Sequence, residues 1–144
     1  MSIRFYTTDV DATKTAREMQ KILAQSDARR VAMDFDAEGF PTAVQFVLQL
    51  DNQPLPFRIE PDVEGMEKAL NEDDDTPGSF GAAQARRVAR RIWKEWLNAI
   101  LAFRDTRQAQ LDQLLLGFGV TSDGRTVHER LVDDRKLLDA PDRG

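Results

Sequence analysis

The sequence predicts an α+β fold, a small antiparallel sheet in the order β-α-β-β-β followed by a helical C-terminal half. Three observations carry that expectation. Three apolar runs with strand-like alternation follow one another between residues 31 and 59 across tight connections, the pattern of an antiparallel meander. A helix-period run precedes them. After them comes AAQARRVARRIWKEWLNAILAF, residues 82–103, with apolar side chains at i, i+3, i+4 spacing.

Taken in order, Ile3, Phe5 and Thr7 alternate with Arg4 and Tyr6 and read as a short first strand. Thr8 is the expected N-cap of a first helix, with Asp11 three residues on, beside the positive helix end. That helix runs to about Gln25 and places Ala12, Ala16, Met19 and Leu23 on one face, supported by Thr15 and Ile22. Val31, Met33 and Phe35 form the inward side of the next strand, and Gly39 and Pro41 turn the chain. Val44, Phe46, Leu48 and Leu50 face inward on a longer strand, and Leu55, Phe57 and Ile59 on another. Pro54 and Pro56 assign this last strand to a sheet edge, because proline cannot donate to a ladder.

Pro61-Asp62 ends the sheet, and Val63, Met66, Ala69 and Leu70 imply a short helix. Residues 71–81, NEDDDTPGSFG, have the composition of an acidic exposed linker. The long basic helix then extends as far as Gln110, Leu111–Leu116 makes a short helix stopped by Gly117 or Gly119, and Ser122-Asp123-Gly124 is a turn. Thr126-Val127-His128-Glu129 is a capping box for a last helix, and a frayed tail is expected from Asp139. The organisation is thus one domain over residues 1–144: a sheet region over residues 1–70, the linker at 71–81 and a helical region over residues 82–138.

Composition narrows the chemistry. With 144 residues, 41% hydrophobic and 31% charged, the chain has the make-up of an ordinary globular protein with a sizeable core. The absence of cysteine excludes disulfides, thiolate metal sites and a cysteine nucleophile. The N-terminus lacks a signal-peptide run, and no apolar stretch approaches the ~20 residues of a membrane span, so the expected place of action is the cytoplasm, away from membranes. Charge is uneven: residues 1–81 hold eight Lys/Arg against sixteen Asp/Glu, and residues 82–144 twelve against nine. Such opposed halves attract each other or a second copy, and a homo-oligomer is expected.

Several motifs invite a chemical reading. Asp34-Phe35-Asp36-Ala37-Glu38-Gly39 has the opening of a calcium loop, but Gln45 stands where a bidentate Glu is needed, so a turn is the better reading. Asp34 and Asp36 share one face, as a Mg²⁺-dependent nuclease would require, but no third carboxylate and lysine accompany them. His128 is the single histidine, without cysteine or a placed nucleophile beside it. Gly117-Phe118-Gly119 is too short for a phosphate loop. No catalytic residue, metal or cofactor is assigned.

The basic helix is the strongest candidate. Arg86, Arg87, Arg90, Arg91 and Lys94 are the expected phosphate or nucleic-acid contacts, and pairing with the acidic run Glu72–Asp75 is the internal alternative. Trp93, Trp96 and Leu97 are the expected partner-interface anchors.

TTDVDATKTAREMQKILA at Thr7–Ala24, FDAEGFPTAVQFVL at Phe35–Leu48, RVARRIWKEWLNAILA at Arg87–Ala102 and GRTVHERL at Gly124–Leu131 resemble a family of small uncharacterised proteins of phages, prophages and related mobile elements. Where that family carries a Leu-Pro-Tyr-like segment after the long helix, this chain has Leu115-Leu116-Gly117-Phe118-Gly119. The resemblance implies a phage origin and action inside a host cell, and transfers no reaction or cofactor. The expected function is that of a non-enzymatic phage accessory protein binding a host or phage component, with counteraction of bacterial defence as the role the resemblance suggests. The alternative is a nucleic-acid or nucleotide-ligand binding protein that uses the basic helix.

Overall fold

The structure, a computed structural model, describes residues 1–26 and 28–134. The tail expected from Asp139 lies outside them. In chain order the elements are α1 (Ala12–Gln25), β1 (Ala28–Phe35), β2 (Pro41–Leu50), β3 (Gln53–Ile59), α2 (Val63–Glu72), α3 (Ala82–Asp105), α4 (Leu111–Leu115) with a 3₁₀ turn at Leu116–Phe118, and α5 (Val127–Asp133). The class is α+β with a helical C-terminal half, as the sequence predicts. One element differs: the sheet has three antiparallel strands in the order β1-β2-β3, and residues 3–7 are not among them.

That opening segment folds as consecutive turns. Phe5 adopts a left-handed φ of 65°, and the Thr8 amide donates to the Phe5 carbonyl at 2.9 Å. Ile3 and Tyr6 pack instead beside Leu70, Ala85 and Val88, in a satellite cluster between α2 and the first half of α3. Apolar alternation over five residues is satisfied equally by a turn that drops two side chains into a cluster. The cap moves with it: Asp11, not Thr8, is the N-cap of α1, its carboxylate accepting from the Thr13 amide at 3.0 Å.

The main core is built where the sequence places it. Met19 and Leu23 of α1, Val44, Phe46 and Leu48 of β2, Phe57 and Ile59 of β3, and Leu97, Ile100 and Leu101 of α3 form one buried cluster. Phe46 and Phe57, opposite one another in the ladder, stack at 5.5 Å between ring centroids. On β1 the alternation fails at its end. The register slips between Asp34 and Phe35, and Phe35, expected inward, is 58% exposed. At the β3 edge the carbonyl of Pro56 accepts from the Val120 amide at 2.9 Å, so a strand that proline bars from sheet extension is partly covered by the C-terminal segment.

α1 lies against β1 and β2, and α3 packs on both α1 and α2. α3 is shorter than expected. It stops at Asp105, with Arg107 at a left-handed φ of 60° and the Gln108 amide reaching back to the Phe103 carbonyl at 2.8 Å, a Schellman closure. The segment 71–81 is fastened at both ends. Asn71 exchanges side-chain hydrogen bonds with the Phe80 backbone at 2.9 Å in each direction, and buried Thr76 accepts from the Ile3 amide at 2.8 Å. The capping box of α5 forms as predicted, Thr126 and Glu129 each bonding the other's backbone amide.

Candidate functional site

The five basic side chains of α3 do not form a continuous patch. Lys94 is ion-paired to Glu18 of α1. This contact, first through the hydrogen bond, holds the Glu18 carboxyl below its ordinary pKa, with Lys14 and Arg91 adding to the field. Arg91 sits 3.5 Å from Glu95 one turn on, and its guanidinium lies 5.1 Å from the Phe5 ring centre. Arg87 donates to the side chain of Gln84 at 3.0 Å. Arg86 lies 4.0 Å over the ring of Phe40. The acidic run takes other partners: Asp75 pairs with the N-terminal amine and Asp73 accepts from Thr76.

Arg90 is the exception. It is only 1% exposed, a fully buried guanidinium on the same helix as the buried Val88, Ala89 and Leu97. One of its amino groups donates to the backbone carbonyl of Pro41, while Nε and Nη1 have no acceptor. Burial alone lowers its pKa to about 10.

Arg86 and Arg90, one helical turn apart, line a cleft of about 300 Å³ between α3, the β1–β2 turn and the start of α2. The turn is shaped by Asp36, whose Oδ1 accepts from the amides of Glu38 at 3.0 Å and Phe40 at 2.9 Å, with Gly39 at φ 86°. This is a turn rather than a calcium loop. Asp34 points elsewhere and accepts from Gln45 at 2.7 Å, so the residue at the would-be twelfth position is tied to the first. Among the described residues no group of three His, Cys, Asp or Glu side chains is placed to hold a metal ion.

The expected interface trio divides. Trp93 and Trp96 are half-buried and meet Phe118 of the 3₁₀ turn, every pair of rings 5.2–5.4 Å apart and edge-on. Leu97 is completely buried in the main core. Its assignment to a partner interface is therefore corrected: it packs into the cluster shared by α1 and the sheet, where the apolar stripe of α3 is buried deepest. Phe103, the last apolar residue of the i, i+3, i+4 run read in the sequence, is 49% exposed, because the buried stripe at this end of α3 runs through Leu97, Ile100 and Leu101. His128 borders a second cleft, of about 470 Å³, with Phe118 and the ion pair of Arg58 and Glu129, which lie 3.0 Å apart.

Nothing in the sequence pattern brings Asp36, Phe40, Pro41 and Glu60 to the Arg90 cleft. A signal for Arg90 itself is present, since Trp93, Leu97 and Leu101 stand three, seven and eleven residues beyond it on the same helix face.

Comparisons with protein-family models, with curated proteins and with solved structures find no match to this chain. No helix among the described residues is long and apolar enough to cross a membrane.

Proposed function

We propose that this chain is a non-enzymatic binding protein that acts in the cytoplasm on a host or phage protein. The observation that supports this reading is the engagement of the α3 cations inside the fold. Lys94, Arg91 and Arg87 each hold an internal partner and Arg90 is buried, which leaves Arg86, stacked on Phe40, at the cleft rim. A polyanion is held by several exposed cations in a row, each displacing a counterion. A net charge of −5 opposes it further. The half-buried Trp93–Trp96–Phe118 cluster is the kind of aromatic surface that anchors a protein partner.

The resemblance to phage and prophage proteins gives the role its context, with interference in bacterial defence as the proposed consequence. The test is fluorescence anisotropy with labelled single-stranded and duplex DNA across a salt series. The expected result is weak binding that R86A, R87A and R91A each change little. Tight binding that falls steeply with salt and is lost in those variants would overturn the protein-partner reading in favour of nucleic acid.

A further inference from the structure

An open three-stranded sheet has two edges, here β1 and β3. The β3 edge is guarded by Pro54 and Pro56, and by Gly119 and Val120, which bridge to Phe57 and bond the Pro56 carbonyl. β1 has neither protection. It carries no proline, and among the described residues no hydrogen bond from beyond β2 reaches its backbone. Alternate N–H and C=O groups along it are open to another strand. The ladder slips between Ala28 and Arg30 and again between Asp34 and Phe35, so the regular stretch is Arg30–Asp34, with Ala32 at its centre. Val31 and Met33 stand opposite the buried Phe46 and Val44, which puts Arg30, Ala32 and Asp34 on the outer face. Arg30 is exposed and holds no partner among the described residues, and Asp34 gives Oδ2 to Gln45, leaving Oδ1.

We propose that two copies of this chain pair through β1, antiparallel and centred on Ala32, joining their sheets into one of six strands. A closed twofold pairing sets each residue opposite one on the same face of the second copy. Centred on Ala32, Arg30 of each copy meets Asp34 of the other, so the regular stretch closes with an ion pair at both ends. The neighbouring registers do not. A centre at Arg30 or Asp34 sets like charges face to face, and one at Val31 sets Arg30 opposite Ala32. A centre at Met33 sets Arg30 opposite Asp36, whose Oδ1 already accepts from Glu38 and Phe40. Opposite charges across a ladder stabilise and like charges destabilise, so the charges that guard this edge against foreign strands select a second copy in one register. Ala32, small and exposed, puts no bulk on the axis. Just past the regular stretch Phe35, 58% exposed, comes beside the aliphatic stem of Arg29 of the second copy. The edge used is the one away from Gly119 and Phe118, so the dimer stands independently of the protein-partner reading.

The test is sedimentation velocity of the full chain over a concentration series, with folding of each variant checked by circular dichroism. The wild type is expected to show a reversible monomer–dimer equilibrium. R30D and D34R, each exchanging two opposite-charge pairs for two like-charge pairs, should each weaken it at least about tenfold. An equimolar mixture of R30D and D34R should dimerise again, because every pair across that heterodimer is of opposite sign. Should D34R fail to fold, cross-linking decides: the chain has no cysteine, and A32C should give a covalent dimer under mild oxidation where E38C, in the β1–β2 turn, gives far less. A chain monomeric at every concentration, a dimer indifferent to R30D and D34R, a mixture that stays monomeric, or equal cross-linking of A32C and E38C would each overturn the proposal.

Discussion

Arg90 of α3 donates a hydrogen bond to the carbonyl of Pro41, the first residue of β2, and so ties the long helix to the start of the central strand. On α3 this contact lies between the main core, which holds Leu97, and the satellite cluster, which holds Val88. A charged side chain at such a junction is a poor choice for stability alone.

Replacing it should therefore cost little. Exchanging buried charged groups for apolar ones of similar volume is often neutral or stabilising, by about 1–4 kcal/mol where whole buried ion pairs are replaced, because the desolvation cost disappears with the charge. Leaving the Pro41 carbonyl without its donor costs about 1–3 kcal/mol. R90M is expected to unfold in urea at or above the wild-type midpoint. A loss of several kcal/mol would show that the hydrogen bond to Pro41 outweighs the cost of burying the guanidinium.

Leu97→Ala is expected to destabilise by about 2–5 kcal/mol, the range for truncating a fully buried leucine whose surroundings relax only in part. The same truncation at a partner surface would leave monomer stability nearly unchanged. Chemical denaturation of the two chains distinguishes these directly.

Acid should weaken the α1–α3 contact. The folded-state pKa of Glu18 is lowered, chiefly by its hydrogen bond from Lys94. Its contribution is therefore complete above the unfolded carboxylate pKa and is lost as pH falls through the lowered folded value. E18Q, which does not titrate, should show a flatter dependence of stability on pH across the acidic range, and the two curves should converge at the acid end. Parallel curves would contradict the pairing.

The C-terminus of α3 offers a gain. Arg107 occupies the left-handed position of a Schellman closure that glycine fills without steric cost. Arg107→Gly is expected to raise stability by roughly 0.5–1 kcal/mol, the left-handed penalty less the added chain entropy of glycine. Thermal unfolding of the variant measures it, and a lowered Tm would mean that the Arg107 side chain makes a contact worth more than the strain.

The elements most legible in the sequence are those whose side chains face a single environment. β2 and β3 alternate cleanly because one face meets the core, and α1 shows its stripe because Ala12, Ala16, Met19 and Leu23 all bury. Residues 3–7 depart from the strand expectation because an alternating apolar pentapeptide is compatible with turns once Leu70 and Val88 provide a place for Ile3 and Tyr6. Phe35 departs from its expected inward position because a register slip is set by backbone pairing that composition does not record. At the site, the residue types on α3 are legible but their partners are not. Helix periodicity sets Arg90 on the face of Trp93, Leu97 and Leu101, but the partners that hold Lys94, Arg91 and Arg87 are set by packing that the run itself does not record. The facing residues Phe40 and Glu60 come from segments far from α3 in the chain, brought there by the meander.

In the proposed function α3 presents no phosphate-binding surface, and the chain works by binding another protein. Native mass spectrometry of the chain purified gently from a bacterial host tests it most directly. The expected species is free of nucleotide or oligonucleotide mass, with a stoichiometric protein partner retained under gentle conditions. A nucleotide or oligonucleotide adduct that high salt removes would contradict it and return the Arg86–Lys94 run to the centre of the function.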